Sequence, residues 1–159
     1  MKAILLIDHG SKRAEANEML ACMTNLVQAM TGPGTIVEYA HMELAEPDIA
    51  AGFAACVERG ATEVIAFPYM LSPGRHSTSD IPNLCAEAAA RFPGVTHRMT
   101  DAFGVHEKLG ELILLRAGVE PARTFAPGDA ACCWHPSRSG TACGAACRAR
   151  TAEVPAAAR

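Results

Sequence analysis

Residues Glu63 to Pro82 read EVIAFPYMLSPGRHSTSDIP, and they hold a strand, a polar loop and a helix start in that order. Val64, Ile65, Ala66, Phe67 and Tyr69 form an uncharged run, interrupted by one proline, with the pattern of a short strand buried on both faces of a parallel sheet. Pro68 ends it. The loop Ser72-Pro73-Gly74-Arg75-His76-Ser77-Thr78-Ser79-Asp80 carries an imidazole, a guanidinium and four hydroxyls, and it runs into Pro82, which suits the first turn of a helix. In an open α/β sheet, ligands bind in the loops beyond the carboxyl ends of the strands. The loop is therefore a candidate site, and the other strand ends decide what it works with.

Working outward, the same alternation recurs on both sides. Lys2 to Ile7 is an apolar run that breaks at Asp8-His9-Gly10-Ser11. From Arg13 to Met30, Ala16, Met19, Leu20, Met23, Leu26, Val27 and Met30 recur at helical steps, which predicts one buried stripe. A strand over Thr35 to about His41 leads through Met42-Glu43-Leu44-Ala45-Glu46-Pro47 into a helix marked by Ile49, Phe53, Cys56 and Val57 and closed by Gly60. After the central stretch comes a helix over about Ile81 to Arg91, expected to bury Ile81, Leu84, Cys85 and Ala88. A strand from Val95 to about Met99 follows, then a helix in which Val105, Leu109, Leu112 and Ile113 share a face. By Arg116 the periodicity has run out. Strands alternating with helices predict a three-layer, doubly wound, mostly parallel four-stranded sheet. The expected division is an α/β domain over 1–118 and an irregular, Cys-rich, Ala/Arg-rich tail over 119–159.

The chain has 159 residues, half of them apolar and 19% charged, enough for one core but not two. A formal net charge of −3 leaves no electrostatic footprint for nucleic acid, and no lysine-rich run suggests a membrane surface. The apolar run before Asp8 is too short for a signal peptide or a membrane span, so a cytoplasmic location is expected. Of the seven cysteines, Cys22, Cys56 and Cys85 fall at apolar helical positions and read as core thiols.

The polar residues gather where the strands end. His9 follows the first, His41 and Glu43 the second, His76 the third, and Asp101 and His106 the fourth. Lone loop histidines are mostly solvated or hydrogen-bonded side chains, and His41, His97 and His106 read that way. His9 and His76 do not, because Gly and Ser beside them let the backbone approach a ligand and no apolar packing calls for an imidazole. Two imidazoles and the Glu43 carboxylate make a site for a divalent first-row ion with open positions. Those nitrogen and oxygen donors accept cobalt, iron or nickel alike.

Three segments also carry a family likeness. Asp8-His9-Gly10-Ser11, then His41-Met42-Glu43 with Pro47, then Pro68 to His76 with Asp80-Ile81-Pro82, resemble in that order the small sirohydrochlorin chelatases of the CbiX and SirB type, over residues 1 to 116. The resemblance implies a chelatase half-module that inserts Co²⁺ or Fe²⁺ into sirohydrochlorin without ATP, on the routes to cobalamin or sirohaem. It implies His9 and His76 as the metal-binding, catalytic pair, Glu43 as the supporting carboxylate, and a homodimer in place of a two-lobed chain. Ser11, Lys12, Arg75, Ser77 and Thr78 are then available to the carboxylates around the tetrapyrrole rim.

Other classes remain. A metal-binding or metal-delivery protein would use the same residues without turnover, whereas a phosphoryl-transfer enzyme with His9 as nucleophile would be expected to place arginine where Asp8 stands. Cys132, Cys133, Cys143 and Cys147 lack an apolar stripe to explain them and suggest Fe–S or zinc ligation. Their spacing fits no standard pattern, and a redox-active tail without fixed structure is the other reading.

Overall fold

The computed structural model describes residues 1–72, 74–122 and 124; the four cysteines from Cys132 to Cys147 lie outside them. Two compact units divide the chain, Met1–Ala102 and Phe103–Arg159. The first holds strands β1 (Lys2–Asp8), β2 (Thr35–His41), β3 (Glu63–Pro68) and β4 (Thr96–Met99) and helices α1 (Ala14–Met30), α2 (Ile49–Glu58) and α3 (Ile81–Ala89). The described part of the second holds helix α4 (Glu107–Ala117). No described helix is long and apolar enough to cross a membrane.

The sheet runs β2-β1-β3-β4 with every pairing parallel, as the alternation of strand and helix predicts. Ala3, Leu5, Ile7, Ile36, Ala40, Val64 and Ala66 point to one face, where Ile49, Phe53 and Cys56 of α2 and Ile81, Cys85 and Ala88 of α3 close over them. Leu6 and Val37 point to the other, against Leu20 of α1 with Met23 and Val27 partly buried alongside. The result is three layers, helix on sheet on helix. Gly52 allows α2 to lie close on β2, since a Cβ there would stand 2.8 Å from the Tyr39 carbonyl oxygen and 2.9 Å from the Ala40 Cβ.

Several burial expectations need correction. In α1 the apolar arc is wider than its contact with the sheet: Leu20 is buried, but Met19, Leu26 and Met30 are each more than half exposed, and Ala16 is exposed too. Cys22 lies on that outward side and is exposed, so it is not a core thiol, unlike the buried Cys56 and Cys85. Leu84 sits between the inward positions of α3 and is 36% exposed. β3 alternates rather than burying both faces: Val64, Ala66 and Pro68 are buried, with Ile65 and Phe67 half-buried. Helices α2 and α3 seal one face of the sheet, whereas α1 covers the other only in part.

Candidate functional site

The chain order creates the site. From β1 it goes out through α1 to β2, then returns through α2 past β1 to β3, so the loops after β1 and β3 diverge at a topological switch point. The register sets Asp8 level with His41 and Ile7 level with Pro68. Three strands therefore release their loops at one edge, bringing Glu43, His9 and His76 together in that order.

Local backbone geometry sets how close they come. Gly10 has φ +79°, and a Cβ there would lie 3.1–3.2 Å from the Leu44 and Ala45 nitrogens and the His41 Cβ. Glycine is thus needed for both the conformation and the space. The two loops touch: the Met42 N–H donates to the Asp8 carbonyl at 2.8 Å, and the Glu43 N–H to the His9 carbonyl at 3.4 Å. Asp48 caps α2 by accepting from the Ala51 N–H at 2.7 Å, and the His41 N–H reaches the Pro47 carbonyl at 2.8 Å, so both ends of the Glu43 loop are held.

At the rim, His9 Nε2 and Glu43 Oε1 are 2.6 Å apart, the side chains 40% and 52% exposed. The His9 and His76 rings stand edge to face with centroids 5.1 Å apart. His76 opens a π-helical turn, His76–Asp80, that leads directly into α3. Its Nδ1 faces Asp80 Oδ2 at 2.9 Å, the kind of carboxylate contact that fixes an imidazole's tautomer and leaves Nε2 as the ligating nitrogen. Arg75 Nε lies 3.7 Å from Asp80 Oδ1 while its side chain is 86% exposed. The turn is held through Gly74, whose N–H donates to Ser77 Oγ at 3.0 Å and whose carbonyl accepts from Thr78 Oγ1 at 2.9 Å.

The expected trio is therefore brought together, but among the described residues no three His, Cys, Asp or Glu side chains are arranged as a ready metal cage. His9 Nε2 is in contact with Glu43 and would have to turn from it to ligate an ion. Of the residues expected to bind a substrate, Ser11 Oγ accepts from the Arg13 N–H at 3.1 Å, and Ser77 and Thr78 bond to their own loop. Lys12 and Arg75 remain as exposed cations. His106 belongs to the second unit, where its Nδ1 accepts from the Lys108 N–H at 3.2 Å.

The contacts of two carboxylates and the burial of one histidine could not be read from the sequence. Asp80 stands four residues after His76, a spacing that becomes a contact only because the segment is helical. Asp8 Oδ1 lies 2.6 Å from His41 Nδ1 and also accepts the Gly10 N–H at 2.8 Å. His41, read as solvated or hydrogen-bonded, is hydrogen-bonded and fully buried at the last residue of β2. Taken together, the edge gathers imidazole and carboxylate groups, the donor types that bind divalent first-row ions and accept protons.

A family model described as CbiX matches residues 3–118. The chloroplastic sirohydrochlorin ferrochelatase of Arabidopsis thaliana is 42% identical over 127 residues, which are 80% of this chain and 55% of that one. A sirohydrochlorin cobaltochelatase of Priestia megaterium is 33% identical over 118 residues, 73% of this chain and 37% of the relative. Among solved structures, the sirohydrochlorin chelatase SirB from Bacillus subtilis subspecies spizizenii, in complex with cobalt, superposes with a TM-score of 0.68 at 32% identity, covering 74% of this chain and 50% of that one. A CbiX protein from Marinobacter aquaeolei VT8 superposes at 0.60 with 26% identity, covering 74% of this chain and 95% of that one. The chain thus spans about half, or less, of the length of the two curated relatives.

Proposed function

The chain belongs to the CbiX family, and from that membership we propose that it is a sirohydrochlorin chelatase, inserting Co²⁺ or Fe²⁺ into the tetrapyrrole without ATP. The relatives named for this reaction support the substrate. The observation that carries the reading is the 2.6 Å His9–Glu43 pair with His76 edge-on beside it, at the switch point of the sheet.

The chemistry follows from those groups. Insertion replaces two pyrrole N–H protons with one divalent ion, so the enzyme must give up an ion and accept two protons at one place. His9 and His76 hold the incoming ion through ring nitrogens, which bind first-row metals firmly enough to position them and release them more readily than a thiolate cage. Turning His9 Nε2 from Glu43 to the metal releases any proton it carries to solvent at the exposed rim. Glu43, freed from the imidazole, is then a carboxylate beside the pyrrole nitrogens and takes one of their protons, while the other goes to an imidazole that the departing ion has freed. Asp80 keeps His76 aimed through Nδ1. Lys12 and Arg75 meet the rim carboxylates of the substrate, and the hydroxyls of Ser11, Ser77 and Thr78 line the same loops.

The proposed assembly is a homodimer with a shared cleft, since a flat macrocycle needs cover on both sides and this chain corresponds to half of the cobalt-bound SirB. Free Cys22, Cys56 and Cys85 suit a reducing, cytoplasmic setting.

The test is an absorbance assay of purified protein with sirohydrochlorin and Co²⁺, Fe²⁺ or Ni²⁺ in turn. Insertion above the uncatalysed rate, abolished in folded His9→Ala and His76→Ala variants, is expected. Stoichiometric metal binding without insertion would instead identify a delivery protein.

A further inference from the structure

We propose that the Asp8–His41 pair is the positioning device that sets the distance between His9 and Glu43, and hence the affinity of the metal site; this rests on the chelatase reading above. His41 is fully buried, and its Nε2 is enclosed without a hydrogen-bond partner among the described residues. A buried imidazole with one unanswered nitrogen costs stability relative to an apolar side chain of similar size, so packing alone does not account for it. Its other nitrogen does: Nδ1 meets Asp8 Oδ1 at 2.6 Å, and the same oxygen accepts the Gly10 N–H at 2.8 Å. One oxygen atom thus ties together the turn that presents His9 and the strand end that presents Glu43. The backbone repeats the tie through Met42 N–H to the Asp8 carbonyl and Glu43 N–H to the His9 carbonyl. Asp8 directly precedes His9, and His41 lies two residues before Glu43. A small rotation of either loop would therefore be felt directly at the rim, where the His9–Glu43 contact spans 2.6 Å. Neither Asp8 nor His41 needs to touch metal or substrate; they act through their neighbours.

The experiment compares the full chain with Asp8→Ala, His41→Leu and Asp8→Asn. The first two remove the bond; the third keeps a carbonyl oxygen where Oδ1 stands and removes only the charge. Co²⁺ affinity is measured by calorimetry, the Co²⁺ visible spectrum reports coordination geometry, and amide hydrogen exchange without metal reports the tie itself. The expected result is a ~10- to 100-fold weaker Co²⁺ affinity in Asp8→Ala and His41→Leu, an altered Co²⁺ spectrum, and faster exchange of the Met42 and Glu43 amides. The amides of Leu5 and Val64 in the core should stay protected, and Asp8→Asn should recover most of the affinity. Asp8→Ala keeps the test open should His41→Leu not fold. Unchanged affinity and spectrum in Asp8→Ala would overturn the proposal, as would an Asp8→Asn no better than Asp8→Ala, which would make charge rather than position the cause. Wild-type protein that binds Co²⁺ but inserts none would overturn the chelatase reading and leave the positioning role standing, whereas wild-type protein without Co²⁺ affinity would overturn both.

Discussion

Glu43 is the residue on which the proposed chemistry is most exposed to test. In Glu43→Gln the amide oxygen still accepts from His9 Nε2, so the loops stay tied, but both the charge and the proton acceptor are gone. Insertion should slow ~10²-fold or more; an unchanged rate would remove Glu43 from the mechanism. The thiols offer a second test. Burial pushes Cys56 and Cys85 up to about 12, with Glu38 adding to the rise at Cys56. At pH 8 in the native protein both should resist alkylation while exposed Cys22 reacts, as peptide mapping of the labelled protein would read. An unfolded chain starts to lose these protons near 9.0 and the native chain only near 12. Stability contributed by the two thiols is therefore full below 9 and falls as pH climbs towards 12, visible as a lower denaturant midpoint at pH 10 than at pH 8. That His9, Glu43 and His76 gather at one sheet edge was legible in the sequence, because each follows a strand end. The burial of His41 was not, because what packs over the end of a strand is a tertiary matter that spacing does not show.

At the scale of elements, the four strands and four helices were readable from periodicity, but how much of each helix the sheet covers was not. The α1 stripe shows why: spacing reveals which residues share a side, while the width of the contact depends on the curvature and size of what lies opposite. The π-helical turn before α3 was equally unreadable, since no residue preference marks an i→i+5 turn. Gly52 gives the packing of α2 on β2 a direct test. Gly52→Ala would be favoured by helix propensity alone, yet its methyl would collide with the Tyr39 carbonyl and Ala40. A net loss of about 1–3 kcal/mol is expected, in the range for overpacked sites, measured as a lower Tm; a gain would mean that the helix can lift from the strand at little cost.

At the scale of the whole molecule, the proposed homodimer predicts specific activity that falls on dilution as the assembly dissociates, followed by light scattering across the same concentrations. A fully active monomer would remove the dimer as a requirement. The strand order has a kinetic consequence as well. β1 pairs with β3 across about sixty residues of intervening chain, Lys2 opposite Glu63, and the His9–His76 contact exists only once that pairing is made. Such distant parallel pairings close slowly, and the rim contacts beyond them are among the last to consolidate. Bound Co²⁺ should accordingly act as a latch rather than a nucleus: it should slow unfolding in stopped-flow mixing and leave the refolding rate unchanged, so that the ion of the proposed reaction would also lengthen the lifetime of the fold.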